Sequence, residues 1–332
     1  MSDQASALTP GWYGANPDTM DVKGNPHPAY RQLRETQPVN LQPDGQWRLS
    51  RYRDIQKLLK HSRSGMRHLD GLIPRENREE TEASKFMLRM DPPDHDRLRS
   101  LVSKAFTPRA LASIRPVIQG QIELELDHLA ERDSIDLIAD LALPVPAASM
   151  CAMLGVPFED RDRLSNLVSL ATYRLAKAAF PELQAKSESA ILELAAYMME
   201  LIEQRRINPS DDIRSALVVA EEAGDRLNEE ELLQQSIGLL VAGLETTIGL
   251  IGNGMACFSR YPEQFALLHE RPELADSAVE ECLRFEPSVP VTYRVLHEDT
   301  RFGNTNIPAD ATVWAVLILS LIHISEPTRP SP

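Results

Sequence analysis

Small and polar residues interrupt an apolar stretch in the middle of the chain. Residues Ala242–Thr247 read AGLETT and lie inside Ser236–Phe258, which is otherwise apolar on nearly all sides. A glycine in a helix interior costs about 1 kcal/mol relative to alanine. Its presence beside a carboxyl and a hydroxyl group therefore indicates that a flat or bulky group approaches the helix. The alternative is a packing glycine whose neighbouring threonines bond back to helix carbonyls.

Two pairs of charged residues have helical spacing. His95 and Arg99 are four residues apart and share one helix face. Together they could bind an anionic ligand. A solvated basic face has the same pattern. Glu281 and Arg284 are three residues apart and face each other. Ion pairs of this kind are common on surfaces and usually contribute little, so neither pair identifies a site by itself.

The cysteines favour neither a metal site nor a disulfide framework. Cys151, Cys257 and Cys282 show no CxxC spacing, and their number is odd. A reducing cytosol fits this pattern, and we predict no metal ligand among the residues of this chain.

Composition narrows the class of protein further. The chain has 332 residues, of which 42% are hydrophobic and 25% charged, and this is typical of a globular protein with a sizeable core. A net charge of -14 argues against nucleic-acid binding, which needs clustered Lys and Arg, and we find no basic run or repeated unit. The polar, Pro-rich residues 1–30 have no apolar core, so no signal peptide or N-terminal anchor is predicted.

The apolar stretch Ser236–Phe258 is about long enough to cross a bilayer. Glu245, however, lies in its middle, and a central charge costs about 2.5–3.5 kcal/mol on insertion scales. An all-round apolar helix in a soluble protein runs through the centre of a large core. We therefore favour a core helix. The alternative, a membrane span, would make this a one-span membrane protein.

The elements that position these residues are predicted to be mostly helical. Three residues predict the start of the helix that carries His95: Asp91 as its cap, Pro92 at the first helical position and Asp94 in the first turn. Asn228 with Glu231 resembles a capping box that opens the central helix. Shorter helices are expected over 30–35, 54–60 and 273–285.

Strands are predicted near both ends of the chain. A hairpin is expected over Val39–Tyr52 around the turn Pro43–Gly45, and further strands over 293–295, 300–302 and 311–315. The polar segment Ser62–Glu82 shows little periodicity and is typical of a lid or binding loop. The fold class is therefore mostly α with a small β part, and no linker divides it.

Together and in this order, the motifs resemble those of the cytochrome P450 family, in its soluble bacterial form. The segment with His95 and Arg99 continues as KAFTP (104–108), and AGLETT is similar to the family's oxygen-binding helix. Glu281 and Arg284 lie within VEECLRFEP (279–287), with Arg294 following at a fitting distance. LGVP (154–157) also fits, and IPAD (307–310) is similar to an Ile-Pro-Ala-Gly turn, from which Asp310 departs. The resemblance covers about 26–317.

The resemblance implies a haem-thiolate monooxygenase. Such an enzyme inserts one atom of dioxygen into a small apolar organic substrate, with electrons from a ferredoxin-type donor, in the cytoplasm. His95, Arg99 and Arg294 would pair with the propionates of haem b. Residues 62–82 and 288–292 would line the substrate pocket.

The central helix would supply the oxygen-activating side of the site. Ala242 and Gly243 would let the helix lie close over the haem. Thr246 would hydrogen-bond dioxygen or a water beside it, and Glu245 would relay protons from solvent. The Glu281–Arg284 pair would have a structural role.

The resemblance to the family does not extend to the ligand of the iron. The family holds haem iron with a thiolate, in a Phe-x-x-Gly-x-x-x-Cys-x-Gly context that none of the three cysteines matches, and the arginine that completes the Glu281–Arg284 network is also absent. We expect the chain to be truncated before that cysteine and to be inactive. The alternative is a haem-free P450-like scaffold that binds a ligand or a partner, against which the Glu245–Thr246 pair argues.

The last residues differ from the rest. LSLIHISEPTR (319–329) resembles a translated sequencing adapter, with a natural tail as the alternative. We thus expect an irregular segment over 1–25, a partial P450 domain over 26–317 and a non-native tail over 318–332. Residues from Leu319 onward should have no packing role.

Overall fold

The computed structural model describes residues 27–68, 85–172, 184–210, 212–222 and 225–321. Helices dominate this part of the chain, as predicted, and the chain forms two compact units. The first unit combines the residues up to Glu82 with those from Ala256 onward, and the second comprises Ala83–Met255.

The α-helices follow one another along both units. In chain order they are α1 (His27–Thr36), α2 (Tyr52–Leu59), α3 (Asp94–Ser103), α4 (Pro108–Ala130), α5 (Pro144–Leu154), α6 (Arg161–Thr172), α7 (Gln184–Ile207), α8 (Ile213–Val219), α9 (Glu229–Arg260), α10 (Pro262–Glu270), α11 (Ala275–Phe285) and α12 (Leu317–Leu321). A π-helical turn over Ile138–Ala142 precedes α5.

The strands are short. They are β1 (Val39–Leu41), β2 (Trp47–Leu49), β3 (Ser64–Gly65), β4 (Glu221–Glu222), β5 (Asp225–Arg226), β6 (Val291–Leu296), β7 (Thr300–Phe302), β8 (Thr305–Ile307) and β9 (Thr312–Val316). Both ends of the chain contribute to one five-stranded sheet of order β1-β2-β9-β6-β3, in which only β2 and β9 run parallel. The predicted hairpin is β1–β2, and Gly45 takes a φ of 81° in its turn, which glycine adopts without strain.

The first unit has its core between this sheet and α2. Leu49 of β2, Leu58 of α2 and Phe302 of β7 are fully buried there. Helix α12 packs against α1, α2, α11 and β6. Its Ser320 is fully buried, and its hydroxyl donates to the carbonyl oxygen of Leu317 at 2.8 Å. The prediction of no packing role from Leu319 onward is therefore wrong for Ser320, and residues 322–332 lie outside the described part of the chain.

The second unit has its main core between α5, α6, α7 and α9. Leu154, Val168, Leu194 and Leu240, one from each of these helices, are almost or fully buried together. Residues 1–26 and 69–84 lie outside the described residues, and the second range includes most of the predicted loop over 62–82.

Helix α3 begins later than predicted. It starts at Asp94 instead of directly after Asp91, and the two prolines between them form a turn. A residue that precedes a proline is disfavoured in helical conformation, so Pro92, followed by Pro93, is a poor first helical residue. The backbone NH of His95 donates to the carbonyl oxygen of Asp91 at 3.0 Å, and Asp94 lies in the first turn as expected.

Helix α9 is less buried than predicted. It is long and apolar enough to cross a membrane by length and composition, and only 17% of its most apolar window is buried. Leu240 and Leu244 face the core of the second unit, whereas Ala242 and Thr247 are exposed. The expectation of burial on all sides is wrong in the described structure, because one face of α9 packs and the other is open.

Candidate active site

The start of α9 is fixed by its own cap. The Asn228 side chain accepts from the backbone NH of Glu231 at 2.9 Å, and the Glu231 carboxylate accepts from the backbone NH of Asn228 at 3.0 Å. This is the predicted capping box. Glu231 also pairs with Arg97 of α3, which reaches Asp225 at 3.2 Å, so α3 is tied to the start of α9.

The segment that leads into α3 also lies on α9. The fully buried Gln235 accepts from the backbone NH of Met87 at 3.1 Å and donates to the carbonyl oxygen of Lys85 at 2.6 Å. A Cβ at Gly238 would overlap the ring of Phe86. Glycine at this position therefore lets the chain before α3 approach the helix backbone.

Gly243 has a packing role of its own. A Cβ at this position would overlap the Met150 side chain of α5. The glycine thus permits close contact between α5 and α9, which is the packing alternative that its type suggested. Its neighbour Ala242 lies on the open face of the helix and is exposed.

Thr246 lies one turn after Ala242. Its hydroxyl donates to the Ala242 carbonyl oxygen at 2.6 Å, and the Thr247 hydroxyl donates to the carbonyl oxygen of Gly243 at 3.0 Å. Both threonines therefore show the back-bonding that is the alternative to an exposed functional hydroxyl. The oxygen of each hydroxyl keeps its capacity to accept a hydrogen bond.

Glu245 is held by a neighbouring helix. Its carboxylate accepts a hydrogen bond from the Ser169 hydroxyl of α6 at 2.9 Å. The two residues predicted to be catalytic, Glu245 and Thr246, are thus adjacent in sequence but are positioned by different partners.

The predicted propionate-binding residues of α3 share one face of that helix. Leu98, Leu101 and Val102 of the same helix are buried. His95 Nδ1 lies 2.9 Å from a carboxylate oxygen of Asp96. Arg99 is exposed and forms no hydrogen bond or ion pair with the described residues, so its guanidinium is available to an anion.

Arg294 belongs to the first unit, on β6. Its half-buried guanidinium donates to the carbonyl oxygen of Tyr293 at 2.7 Å and contacts the sulfur of Met66 at 3.4 Å. In the described part of the chain it has no carboxylate partner. A propionate is a chemically suitable partner for such a group.

Glu281 and Arg284 form the predicted pair on α11. Two nitrogens of the guanidinium donate to the two carboxylate oxygens, each at 2.6 Å. The hydrogen bonds to Glu281 raise the pKa of Arg284 despite the opposing effect of burial. The bidentate geometry supports the expected structural role.

None of the three thiols has the environment of a metal ligand. Burial raises the pKa of Cys151 and of Cys257 to about 11 and also raises that of Cys282. Cys151 is buried in the core of the second unit, and none of the three cysteines has the sequence context in which the family carries its thiolate. The open face of α9 and the partner-free Arg99 fit the haem that the resemblance implies, but these cysteines do not fit its iron.

Sequence reasoning missed a basic surface in the first unit. Residues 51–67 contain six arginines and lysines against one carboxylate, Asp54. These charges are interspersed with other residues, and two of them, Arg53 and Lys57, lie within α2, so they form no consecutive basic run that the sequence would have shown.

A buried arginine was also missed. Arg214 of α8 is fully buried, and none of its three side-chain nitrogens has a hydrogen-bond partner among the described residues. Burial lowers its pKa to about 10. No local sequence pattern marks such a residue, because its burial depends on the packing of α8 in the second unit.

Most of this chain is similar to known proteins. The family model described as Cytochrome P450 matches residues 12–325. Vitamin D(3) 25-hydroxylase from Pseudonocardia autotrophica is 38% identical over 299 residues, which are 87% of this chain and 72% of that protein.

Solved structures give the same result. The myxobacterial cytochrome P450 CYP267B1 in complex with myristic acid is 35% identical, with a TM-score of 0.80 over 92% of this chain and 79% of that one. P450BioI, in complex with an acyl carrier protein ligated to hexadec-9Z-enoic acid, is 30% identical, with a TM-score of 0.79 over 89% of this chain and 77% of that one. The chain belongs to the cytochrome P450 family of haem-binding monooxygenases.

Proposed function

We propose that the protein is a haem-thiolate monooxygenase that inserts one oxygen atom of dioxygen into a small apolar organic substrate. The observation that carries this proposal is the open face of α9, where the exposed Ala242 lies one turn before the Thr246 hydroxyl. A small side chain leaves room for a flat group beside the helix. A hydroxyl at the same place can hold a water or pass on a proton.

Three cations are assigned to the propionates. Arg99 has a guanidinium with no partner among the described residues, and Arg294 has no carboxylate partner there. His95 would either leave Asp96 to bind a propionate or contact both carboxylates. Charge-assisted hydrogen bonds of this type are among the stronger ones in proteins.

Proton delivery is assigned to Thr246 and Glu245. When bound, the haem supplies the activation of dioxygen. The Thr246 hydroxyl would turn from the Ala242 carbonyl to donate to an oxygen atom at the open face, and Glu245 would restore its proton through water. The Ser169 hydroxyl, which donates to Glu245, would keep that carboxylate in place. Gly243 would contribute by letting α9 seat closely on α5.

The thiolate is assigned to none of the residues of this chain. None of Cys151, Cys257 and Cys282 has the sequence context that carries the family's thiolate, and Cys151 is buried between helices. We therefore propose that this polypeptide alone is inactive, and that the ligand belongs to a segment like the cysteine-bearing segment of its relatives.

The substrate class that we propose follows the relatives. One relative is named for hydroxylation of vitamin D(3), and one neighbour holds myristic acid. Both compounds are largely apolar. We also propose a ferredoxin-type electron donor and a cytoplasmic location, which the family resemblance implies.

The test joins residues 1–317 to the cysteine-bearing segment of P450BioI. The chimera is supplied with haem, an electron donor and doubly labelled ¹⁸O₂, with myristic acid and vitamin D(3) as probes. We expect a reduced carbon monoxide band typical of thiolate haem and a product that contains one labelled oxygen. A chimera that holds thiolate haem but incorporates no label into either probe, or into a panel of steroids and fatty acids, contradicts the proposal.

One observation favours a second function. None of the three cysteines has the family's thiolate context, which would also suit a haem-free P450-like scaffold that binds an apolar ligand. The two functions differ in haem binding, which a scaffold does not need. If the chimera binds myristic acid but no haemin, the scaffold is the better account.

A further inference from the structure

A cleft in the second unit lies between α4, the π-helical turn and α6. Its volume of about 550 Å³ is within the range of small-molecule sites. We name it the α4–α6 cleft after the helices that carry Glu125, Arg161 and Asn166, three of its lining residues. None of the described residues that line it belongs to the candidate active site.

The wall formed by the π-helical turn is held by its own hydrogen bonds. The Asp136 carboxylate accepts from the backbone NH groups of Ile138 and Ala139, each at 3.0 Å. The Asp140 carboxylate accepts from the backbone NH of Asp136 at 2.7 Å and pairs with Arg132 at 2.8 Å. Turns of this kind are frequent at functional sites, and this one gives the cleft a fixed wall.

Arg161 of α6 brings unused hydrogen-bond donors to the cleft. Its side chain is only 20% exposed, and its guanidinium carbon lies 4.9 Å from the centre of the Phe158 ring. Its Nε donates to Asp162 at 3.0 Å, whereas Nη1 is 3.9 Å from a carboxylate oxygen of Glu125, too far for a hydrogen bond. Among the described residues, the two terminal nitrogens have no hydrogen-bond acceptor, so a bound carboxylate can accept from both.

Carboxylates line the same cleft beside these donors. The Glu125 carboxylate, which is 13% exposed, accepts from the side chain of Gln121 and lies 3.7 Å from Nδ1 of His128. The Asp162 carboxylate is mostly exposed. A carboxylate has about four acceptor sites, and these contacts use only some of them. The lining can therefore also accept hydrogen bonds from an ammonium group.

The cleft is close to electrical neutrality, unlike the whole chain. Two arginines and one histidine line it against three carboxylates, whereas the net charge of the chain is -14. A free anion is repelled by the chain at long range, and a free cation meets the two guanidinium groups in the cleft. A zwitterion has no net charge and finds a partner for each of its charges there.

Apolar residues complete the lining of the cleft. They are Leu129, Ala139, Leu143 and Pro144. A ligand with an apolar side chain loses more apolar surface to these residues than one without, and this loss favours binding. The amide of the exposed Asn166, which forms no hydrogen bond with the described residues, is available to a polar group of the same ligand.

We propose that the α4–α6 cleft binds a free amino acid with an apolar side chain. Arg161 binds its carboxylate, the carboxylates of the lining bind its ammonium group, and Leu129 and Leu143 contact its side chain. The inference does not depend on the proposed function, because all these residues belong to the second unit and none of them is assigned to haem or oxygen.

The first test compares L-leucine with three analogues, each of which lacks one feature of the proposed ligand. L-leucinamide lacks the carboxylate, 4-methylpentanoate lacks the ammonium group, and glycine lacks the apolar side chain. Isothermal titration calorimetry measures their binding to the 332-residue chain. We expect each analogue to bind at least about tenfold more weakly than leucine, because each leaves one part of the cleft without its partner.

The second test locates the ligand with variants of α6. Arg161→Gln should raise Kd for leucine by at least about tenfold, whereas Arg163→Gln should leave it within about twofold. Arg163 is the matched control because it pairs with Glu193 of α7 at 2.8 Å and does not line the cleft. Asn166→Trp fills the cleft from an exposed position and should abolish binding. Circular dichroism compares the folding of all chains.

Three outcomes overturn the inference. They are the absence of leucine binding to the wild-type chain, equal binding of leucine and any one analogue, and an equal loss of binding in the Arg161 and Arg163 variants. If Arg161→Gln does not fold, Asn166→Trp decides, because leucine binding retained in a folded Trp variant places the ligand elsewhere.

Discussion

The Thr246 hydroxyl group has one observed contact and one proposed role. It donates to the carbonyl oxygen of Ala242 in the described structure, which satisfies it within its own helix. The proposed role requires that it turn toward the open face of α9 and donate to an oxygen atom there. Thr247 makes the same kind of bond, to Gly243, and so offers a matched control in the next position.

Thr246→Ala should lower the amount of product per electron consumed, by about tenfold, while haem binding stays unchanged. The reason is that the variant keeps the helix but loses the proton donor at the open face. Product and reductant consumption are measured together in the P450BioI chimera. Thr247→Ala should leave the ratio within about twofold. Equal ratios in the two variants would remove Thr246 from the mechanism.

Arg214 is a residue whose burial opposes stability. Its guanidinium is fully buried, and burial lowers its pKa to about 10. Because the folded-state pKa lies below that of a free guanidinium, the penalty is fully present below about pH 10 and fades as the pH rises further. A buried charge without hydrogen-bond partners costs free energy unless another group compensates for it.

Arg214→Leu should therefore raise the free energy of unfolding at pH 7 by about 2 kcal/mol. Urea denaturation followed by circular dichroism measures the change. Arg214→Lys keeps the charge and should bring no gain. A loss of stability of more than about 1 kcal/mol in the Leu variant would show that the guanidinium is satisfied in solution.

Contacts between helices are illustrated by the junction of α5, α7 and α8. The Asp212 carboxylate caps α8 by accepting from the backbone NH of Ser215 at 2.7 Å, and it also accepts from Arg205 of α7 at 2.6 Å. Arg205 in turn donates to the carbonyl oxygen of Gly155, which ends α5 with a φ of 59°. A Cβ at Gly155 would overlap the Asp212 carboxylate, so only glycine fits both the conformation and the contact.

This junction should contribute a pH-dependent term to stability. Burial acts to raise the pKa of Asp212, but the hydrogen bonds from Ser215 and Arg205 outweigh it and lower that pKa below 3.8. The stabilisation is therefore complete above about pH 3.8 and is lost as the pH falls from there through the folded-state pKa.

Asp212→Asn keeps a capping side chain but cannot titrate, so its stability should fall less steeply over the same acid range. Asp212→Ala should lose about 1 kcal/mol at pH 7, because it removes the cap. Urea midpoints at several pH values below 5 give the slopes. Identical slopes for the wild type and the Asn variant would mean that Asp212 does not hold the low pKa.

Structural features that depend on residues close together in the sequence could be predicted from it. The capping box of Asn228 and Glu231, the β1–β2 hairpin and the Glu281–Arg284 pair all depend on residues within a few positions of each other. Contacts between distant residues could not, because no local pattern encodes them. The Arg294–Met66 contact joins residues 228 positions apart.

The same distinction explains the errors at the candidate site. The small residues of AGLETT correctly indicated a close approach, but the group that approaches Gly243 is Met150 of α5. Hydrophobicity alone predicted that α9 would be buried on all sides. A helix with one packed and one open face has the same composition, so the sequence could not distinguish the two.

On the scale of the whole molecule, one polypeptide carries both the open face of α9 and the side chains that we assign to the propionates. None of its three cysteines has the sequence context of the family's thiolate. Our central proposal is therefore that this chain supplies oxygen-activating and haem-binding side chains of a cytochrome P450 but not its thiolate.

The most direct test is the reduced carbon monoxide difference spectrum of the 332-residue chain mixed with equimolar haemin. We predict no band at the position typical of thiolate-ligated haem, because none of Cys151, Cys257 and Cys282 has the family's thiolate context and Cys151 is buried between helices. A stoichiometric complex with a thiolate-type band, lost on replacement of one of these cysteines by serine, would contradict it.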